Sequence, residues 1–562
     1  MSRQRMTCAE ATLRSMVDAG ADRLFDMPGR GVYPLLNELP KFPQLAHVTA
    51  PHEFPLAAMA DGYARIRGQA SFLNLYMSTG VLNGASAIFV AARDRVPLVV
   101  TATQAESWAV GADHRAEISD IIASVRPFTK WAWMPPTPDR VPEAMRRAYT
   151  IATTPPYGPT FVAIPVDYWN QEIEYTAWTP TILAQVRVDP ADERIEEIAR
   201  AVERAEFPLL VVGYEAIMAG VSEDLMALAS RYSCPIVAEP DPAMLPTPVQ
   251  FELFGGTLVE AAELVERADV ILHVGVNTYE AVHGRVLHAG RSKRHFWMGS
   301  SGRELNKVAL AEIAVIGPVG PSVAALAAAC RKSGEGLTDP RLRQRAAEVR
   351  EQIAADRRHL DESREEAWDA QPMSVARICA ELRTALPPET VLVEHATTAT
   401  LLVRENFPLP TSRHYVCASA SCQGWGLGAA VGVSFALGAA PVVAIIGDGG
   451  FLFGMQAIWT AVQYDRPLLV VILNNGGWSS MRGSVARGAA AVIEAGMDLR
   501  FGWEADYAAI CRGLGATAER VKTPPELTSA LERHLPLLKG PVVLDVVCRQ
   551  EPKSSRSPFV GY

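Results

Sequence analysis

The chain has 562 residues, 49% hydrophobic and 20% charged, an ordinary globular balance whose length predicts about two to four domains. Its net charge of −9 comes with no basic cluster, which argues against a nucleic-acid partner. No apolar run reaches the ~18 residues of a membrane span, and the N-terminus has an amphipathic helix pattern rather than that of a signal peptide. Eight cysteines, scattered singly with no CxxC spacing, favour a reducing compartment, so a cytoplasmic protein is expected.

From residue 1 to about 185, helix-like stretches alternate with apolar runs at Arg23–Phe25, Leu45–Val48, Ser71–Leu75, Leu98–Thr101 and Thr160–Ile164. That rhythm predicts a doubly wound parallel sheet. The first run opens into a glycine turn, Met27-Pro28-Gly29-Arg30-Gly31, and the second into Pro51-His52-Glu53-Phe54 and a helix-like stretch, PLAAMADGYARI. Glu53 thus stands where a strand ends and a helix begins, a position that favours a carboxylate by about 0.3–1 kcal/mol. On the residues alone it reads first as an ordinary helix-start glutamate, with His52 as its packing neighbour. The third run ends in Asn74-Leu75-Tyr76-Met77-Ser78-Thr79-Gly80, with Tyr76 at its tip; a phenol is a poor base at neutral pH.

Thr179-Pro180 and Asp189-Pro190 punctuate a linker. A second α/β set follows: a helix pattern at Glu193–Glu206 and strands at Pro208–Gly213, Ile236–Ala238, Val270–Gly275, His295–Met298 and Glu312–Val315. The turn after its first strand, Gly213-Tyr214-Glu215-Ala216, lacks a GxGxxG fingerprint, which sets aside an NAD-dependent oxidoreductase and predicts no bound FAD. The third of these strands, Val270–Gly275, runs into a loop that ends at His283, which reads either as a site residue or as a surface loop histidine.

Arg341–Trp368 is highly charged without a strand signal and predicts a linking helix. A third α/β set begins at Gln371. The expected division is 1–185, a middle unit 186–345, a linking helix 346–370, and 371–562. Val391-Leu392-Val393-Glu394-His395-Ala396-Thr397-Thr398 is a strand ending in a polar turn, and Cys417–Gly432, CASASCQGWGLGAAVG, is a small-residue loop entering a helix. The run Val442–Ile446 then leads into Gly447-Asp448-Gly449-Gly450, a helical segment Phe453–Tyr464, a second run Leu468–Leu473, and Asn474-Asn475-Gly476-Gly477. This is a βαβ unit, and parallel strands bring Asp448 and Asn475 to one edge. A carboxylate, an amide oxygen and glycine backbone suit Mg2+, which completes its octahedron with phosphate oxygens and water. The competing reading is a pair of glycine turns with Asp448 as a helix cap. Ser479–Leu499 is rich in Gly and Ala and reads as mobile; the tail 552–562 reads as a cover for a site entrance or a partner subunit.

GDG followed about one βα unit later by NN resembles the signature of thiamine diphosphate enzymes. The strand, His52-Glu53 and ADGYAR resemble the same family, and the Asn74–Gly80 turn is similar to the benzoylformate decarboxylase group, with an acetohydroxyacid synthase-like branch as its neighbour. The resemblance covers nearly the whole chain and implies three doubly wound parallel-sheet α/β domains: pyrimidine-binding, middle and diphosphate-binding.

It implies bound thiamine diphosphate and Mg2+, with Asp448, Asn475 and the Gly477 carbonyl on the metal. It implies that Gly447, Gly449, Gly450, Thr397 and Thr398 hold the diphosphate, with Gln423 where a bulky apolar side chain usually props the cofactor; Cys422 or Trp425 are the alternatives there. Glu53 would bond the aminopyrimidine. Tyr76, which replaces the family's histidine, His283 and His395 are the candidates for handling substrate and protons. The implied reaction is non-oxidative decarboxylation of a 2-keto acid, with aryl acids among the candidates, through an ylid and an enamine to an aldehyde. The Tyr76 departure keeps open a carboligase or lyase that makes or cleaves 2-hydroxyketones, and a non-catalytic regulatory homologue is the remaining alternative. Because the family's pyrimidine and diphosphate domains meet across subunits, at least a homodimer is implied, with a homotetramer as the usual form.

Overall fold

The apolar runs become strands. In the computed structural model, which describes residues 3–182, 187–332, 340–407, 409–420, 422–496 and 505–551, they form three six-stranded sheets. Neighbouring strands in each of them run parallel. Strands covered on both faces need no polar alternation, which is why Leu468–Asn474 reads LLVVILN. The first sheet has the order Ala46–Val48, Arg23–Asp26, Ser71–Tyr76, Leu98–Gln104, Thr160–Pro165, Trp131–Trp133. The middle sheet is ordered Phe254–Thr257, Ile236–Ala238, Pro208–Val212, Val270–Val274, Arg294–Gly299, Ala311–Ile316. The third is ordered Tyr415–Val416, Val391–His395, Val442–Gly447, Leu468–Asn474, Pro541–Val547, Thr517–Val521. Each is a doubly wound α/β unit whose strand carboxyl ends share one edge.

The first and third sheets are joined by the crossing of two helices, Glu53–Arg67 and Trp425–Leu437. Gly62, Gly428 and Gly432 permit the approach: a Cβ on Gly432 would collide with the Met59 carbonyl, and one on Gly428 would lie 2.8 Å from that of Pro55. ADGYAR acquires a structural meaning here. Arg65 donates to both oxygens of Asp61 at 2.9 and 3.0 Å, to Asp94 at 2.6 Å, and to the Cys417 carbonyl at 2.9 Å. The Trp425 indole donates to Asp61 at 2.6 Å and its ring lies beneath the guanidinium. All three charged side chains are buried, so each depends on the others for its partners.

Several expectations change. The N-terminus is a strand, Arg3–Thr7, before the helix Cys8–Asp18. It pairs antiparallel with Glu172–Thr176, and Arg3 and Arg5 form diagonal ion pairs with Glu174 and Glu172 across the ribbon. Gly447–Gly450 is not a free turn: Gly447 caps a helix, Asp448–Gly454, and a second helix, Ala457–Gln463, follows. The segment read as mobile forms helices Ser479–Gly488 and Ala490–Glu494, while 497–500 lie outside the described residues. The tail 552–562 also lies outside them. The charged stretch is one helix, Pro340–Glu366. Among the described residues, no helix is long and apolar enough to cross a membrane.

Candidate active site

The strand Val442–Gly447 lies beside Leu468–Asn474, with Gly447 opposite Leu473, so the turns that follow them touch. Asp448 begins its helix with the carboxylate turned onto the neighbouring turn: it accepts the Gly477 amide at 2.9 Å and the Gly449 amide at 2.7 Å. It is 2% exposed, and burial pushes its carboxyl up to about 6 against the opposing pull of the surrounding backbone amides. Gly476 and Gly477 adopt positive φ, 77° and 138°, so the turn can close over the carboxylate. Asn474 and Asn475 then divide two tasks. Asn474 donates to Asp545 at 2.7 Å and belongs to the sheet. Asn475 leaves its side-chain oxygen buried and without a hydrogen-bond partner.

An orphaned amide oxygen next to a caged carboxylate is costly unless a ligand completes it. Oxygen donors in a glycine turn fit a hard divalent cation. Among the described residues no group of three or more His, Cys, Asp or Glu could hold a metal, so a cation here would rely on amide, carbonyl and phosphate oxygens. Trp478 packs directly over Gly449, and Gly450 faces the Gln423 amide: a Cβ there would lie 3.0 Å from Gln423 Oε1. Gln423 in turn approaches the Thr397 hydroxyl at 3.4 Å. Thr397 holds φ +50°, an uncommon value for a non-glycine residue that marks a constrained turn. Thr398 shares its short 3-10 turn, Thr397–Ala399.

Gln423 and Thr397 also border a cavity of about 500 Å3 that residues of all three units line. His395, Thr397 and Gln423 line it from the third unit, His283 from the middle unit, and Phe89 from the first. His395 Nδ1 accepts the Gly426 amide at 3.1 Å, and burial pushes its pKa down to about 4. His283 Nδ1 accepts the Glu280 amide at 2.9 Å, and burial lowers its pKa too. Both rings are therefore neutral with Nε2–H free to donate. Beneath the cavity wall, Glu394 gathers donors from the Ala396 amide at 2.5 Å, Thr400 at 2.9 Å, Tyr415 at 2.9 Å and the Cys417 thiol at 3.4 Å. It fixes the turn that carries His395 and Thr397.

Glu53 and Tyr76 sit elsewhere, on the carboxyl edge of the first sheet. Glu53 is the first residue of its helix; His52 caps that helix by accepting the Phe54 amide at 3.1 Å, so His52 is structural. Glu53 is half-buried, accepts from Asn83 at 3.1 Å, and lies over Gly80. Tyr76 covers Gly29 of the first glycine turn. Gly80 and Phe89 lie on one helix, Met77–Arg93, about 14 Å apart at 1.5 Å per residue, so Glu53 does not line the cavity of its own chain. Trp425, offered as a cofactor prop, is fully buried against Asp61 and Arg65, whereas Gln423 approaches Gly450 and Thr397. Sequence reasoning did not single out Asn83, Glu394 or the Asp61–Arg65 pair. An acid inside the apolar run VLVEH, and opposite charges one turn apart in an apolar helix, were the available signals.

Three family models match in chain order: "Thiamine pyrophosphate enzyme, N-terminal TPP binding domain" at residues 6–124, "Thiamine pyrophosphate enzyme, central domain" at 195–326, and "Thiamine pyrophosphate enzyme, C-terminal TPP binding domain" at 396–546. The chain belongs to the thiamine pyrophosphate enzymes. It is 28% identical over 539 residues to a benzoylformate decarboxylase of Pseudomonas aeruginosa, covering 94% of this chain and 96% of that one. It is 26% identical over 565 residues to the acetolactate synthase large subunit of Corynebacterium glutamicum, covering 98% and 88%. The structure of a thiamine diphosphate-dependent 4-hydroxybenzoylformate decarboxylase from Rhodococcus jostii RHA1 superposes with a TM-score of 0.84 at 24% identity, covering 97% of this chain and all of that one, and shows the shared fold. This thiamine pyrophosphate enzyme thus has both decarboxylases and acetolactate synthases among its relatives.

Proposed function

We propose that the protein binds thiamine diphosphate and Mg2+ and decarboxylates a 2-keto acid without oxidation, releasing an aldehyde. The observation that carries this reading is the orphaned Asn475 oxygen beside the caged Asp448. Asp448, the Asn475 side chain and the Gly477 carbonyl would hold the metal. The backbone of Gly447, Gly449 and Gly450, with Thr397 and Thr398, would hold the diphosphate, and Gln423 would support the ring system. When bound, the thiazolium ring accepts the electrons left behind as CO2 departs.

The chain's own groups do the rest. Glu53 of a second copy would share a proton with N1′ of the aminopyrimidine, while Asn83 orients its carboxylate. His395 and His283, neutral and donating through Nε2, would orient the substrate's carboxylate and carbonyl oxygens. The cavity walls would shield these contacts from part of the solvent once a substrate fills the space between them, which strengthens each of them. The assembly in this reading is a homodimer at the least and a homotetramer in full, in the cytoplasm. No flavin takes part: at the middle sheet's edge Glu239 itself accepts the Tyr214 and Asn277 amides, both at 2.8 Å, where a nucleotide phosphate would compete.

Tyr76 favours a second reading. A phenol donates a hydrogen bond but relays protons poorly near neutral pH, which suits attack on a second carbonyl, giving a 2-hydroxyketone, better than protonation to an aldehyde. The test is titration with thiamine diphosphate and Mg2+, read by tryptophan fluorescence through Trp478, followed by incubation with pyruvate and with benzoylformate. Cofactor-dependent CO2 and free aldehyde are expected. Hydroxyketone without aldehyde selects the second reading, and no saturable cofactor binding removes both.

A further inference from the structure

The distal wall of the three-unit cavity carries one carboxylate that has no hydrogen-bond or ion-pair partner among the described residues. Two of its cations are already engaged: Arg93 pairs with Glu280 at 3.5 Å, and Arg404 with Glu260, both of the latter being 5% exposed. His283 and His395 are neutral. Asp241 is the remainder. It lines the same cavity, yet makes no hydrogen bond or ion pair with any described residue. Its backbone is held between Pro240 and Pro242, and the loop is pinned to the third unit where Ala243 accepts the Cys417 amide at 2.9 Å. Burial and the nearby Glu280 push its carboxyl up to about 6, with Arg93 and Arg404 opposing and Asp94 reinforcing that rise. A walled, half-buried carboxylate without a partner is a standing cost unless a ligand supplies the counter-charge.

We propose that Asp241 is a specificity residue that anchors the cationic end, ammonium or guanidinium, of a 2-keto acid whose other end reaches His395 and Thr397. The occupant is an organic cation rather than a metal ion, because no group of three or more His, Cys, Asp or Glu converges among the described residues. A neutral or anionic tail would leave Asp241 unpaired or repelled. The inference rests on the proposed 2-keto acid chemistry for its substrate, but not for its charge preference.

The test compares 5-guanidino-2-oxopentanoate with 5-ureido-2-oxopentanoate, which has nearly the same shape and no charge, on the holoenzyme and on Asp241→Asn. The protein should prefer the guanidino acid by at least about tenfold in kcat/KM, the scale of one charge-assisted hydrogen bond. Asp241→Asn should erase that ratio while sparing the ureido acid, and Asp241→Glu should keep part of it. Equal use of the two acids, or a ratio unchanged in Asp241→Asn, overturns the proposal. A second arm needs no turnover: n-butylguanidinium should bind the holoenzyme by calorimetry and bind Asp241→Asn at least about tenfold more weakly. Absent or undiminished binding overturns the anchor. Asp241-dependent binding with neither acid consumed upholds the anchor and overturns a 2-keto acid as the molecule it anchors. Because Asp241 has no partner to lose, Asp241→Asn should melt no lower than the natural protein; a fall in Tm contradicts the unpaired state.

Discussion

Asp448 is caged by backbone amides of its own unit, 2% exposed, while Glu53 stands half-buried at the start of a helix with one side-chain donor, Asn83. One edge is assembled within the fold and lacks only a ligand for the Asn475 oxygen. The other leaves its carboxylate half-buried, with Asn83 as its side-chain donor among the described residues of its own chain. A split of this kind follows if the second edge is closed by another copy of the chain. The tight crossing of Glu53–Arg67 with Trp425–Leu437 fixes the first and third units relative to each other, so no hinge within one chain brings Glu53 to Asp448.

The comparison can be broken by changing each edge alone. Glu53→Gln should lower kcat about 10²–10⁴-fold while the cofactor still binds, because only proton sharing is lost. Asp448→Ala should act on binding instead, weakening Mg2+ and cofactor affinity by at least about 100-fold in a fluorescence titration. The clamp between the units is a third target. Arg65→Met leaves Asp61 and Asp94 buried without their cation, a cost of about 3–5 kcal/mol, read as a fall in Tm and as lost activity at temperatures where both edges are otherwise intact.

The smallest effect is one of pH. A metal needs the Asp448 carboxylate ionised, and burial holds that carboxyl near 6 when no metal is present. Mg2+ affinity should be level above pH 6 and should fall by up to about tenfold per unit below it. Affinity that stays level down to pH 5 would show that Asp448 is not the group in contact with the metal.

The long parallel strands were legible because strands covered on both faces must be apolar along their length; Val442–Gly447 and Leu468–Asn474 are of this kind. Edge strands such as Tyr415–Val416, Trp131–Trp133 and Thr517–Val521 were not, since two to five residues carry too little pattern. The N-terminal strand was hidden because Arg3–Thr7 acquires its partner only at Glu172–Thr176, far along the chain. At the site, the meeting of Asp448 with the Asn475 turn followed from strand order. What the pattern could not supply was the roles of Asn474 and Trp425. Each depends on a contact with a remote element, Asp545 in one case and Asp61 in the other. Asp241 was missed because a Pro-Asp-Pro turn looks like surface until the third unit closes over it.

The split between the two edges is tested most directly by mixing Glu53→Gln protein with Asp448→Ala protein under conditions that exchange subunits. If the site combines Glu53 of one copy with Asp448 of another, each mixed dimer holds one doubly altered site and one fully natural site. Two inactive preparations should then recover roughly a quarter of natural specific activity in a random equal mixture, where about half the dimers are mixed. Mixed dimers, demonstrated by differential tagging, that remain as inactive as their parents would contradict the account.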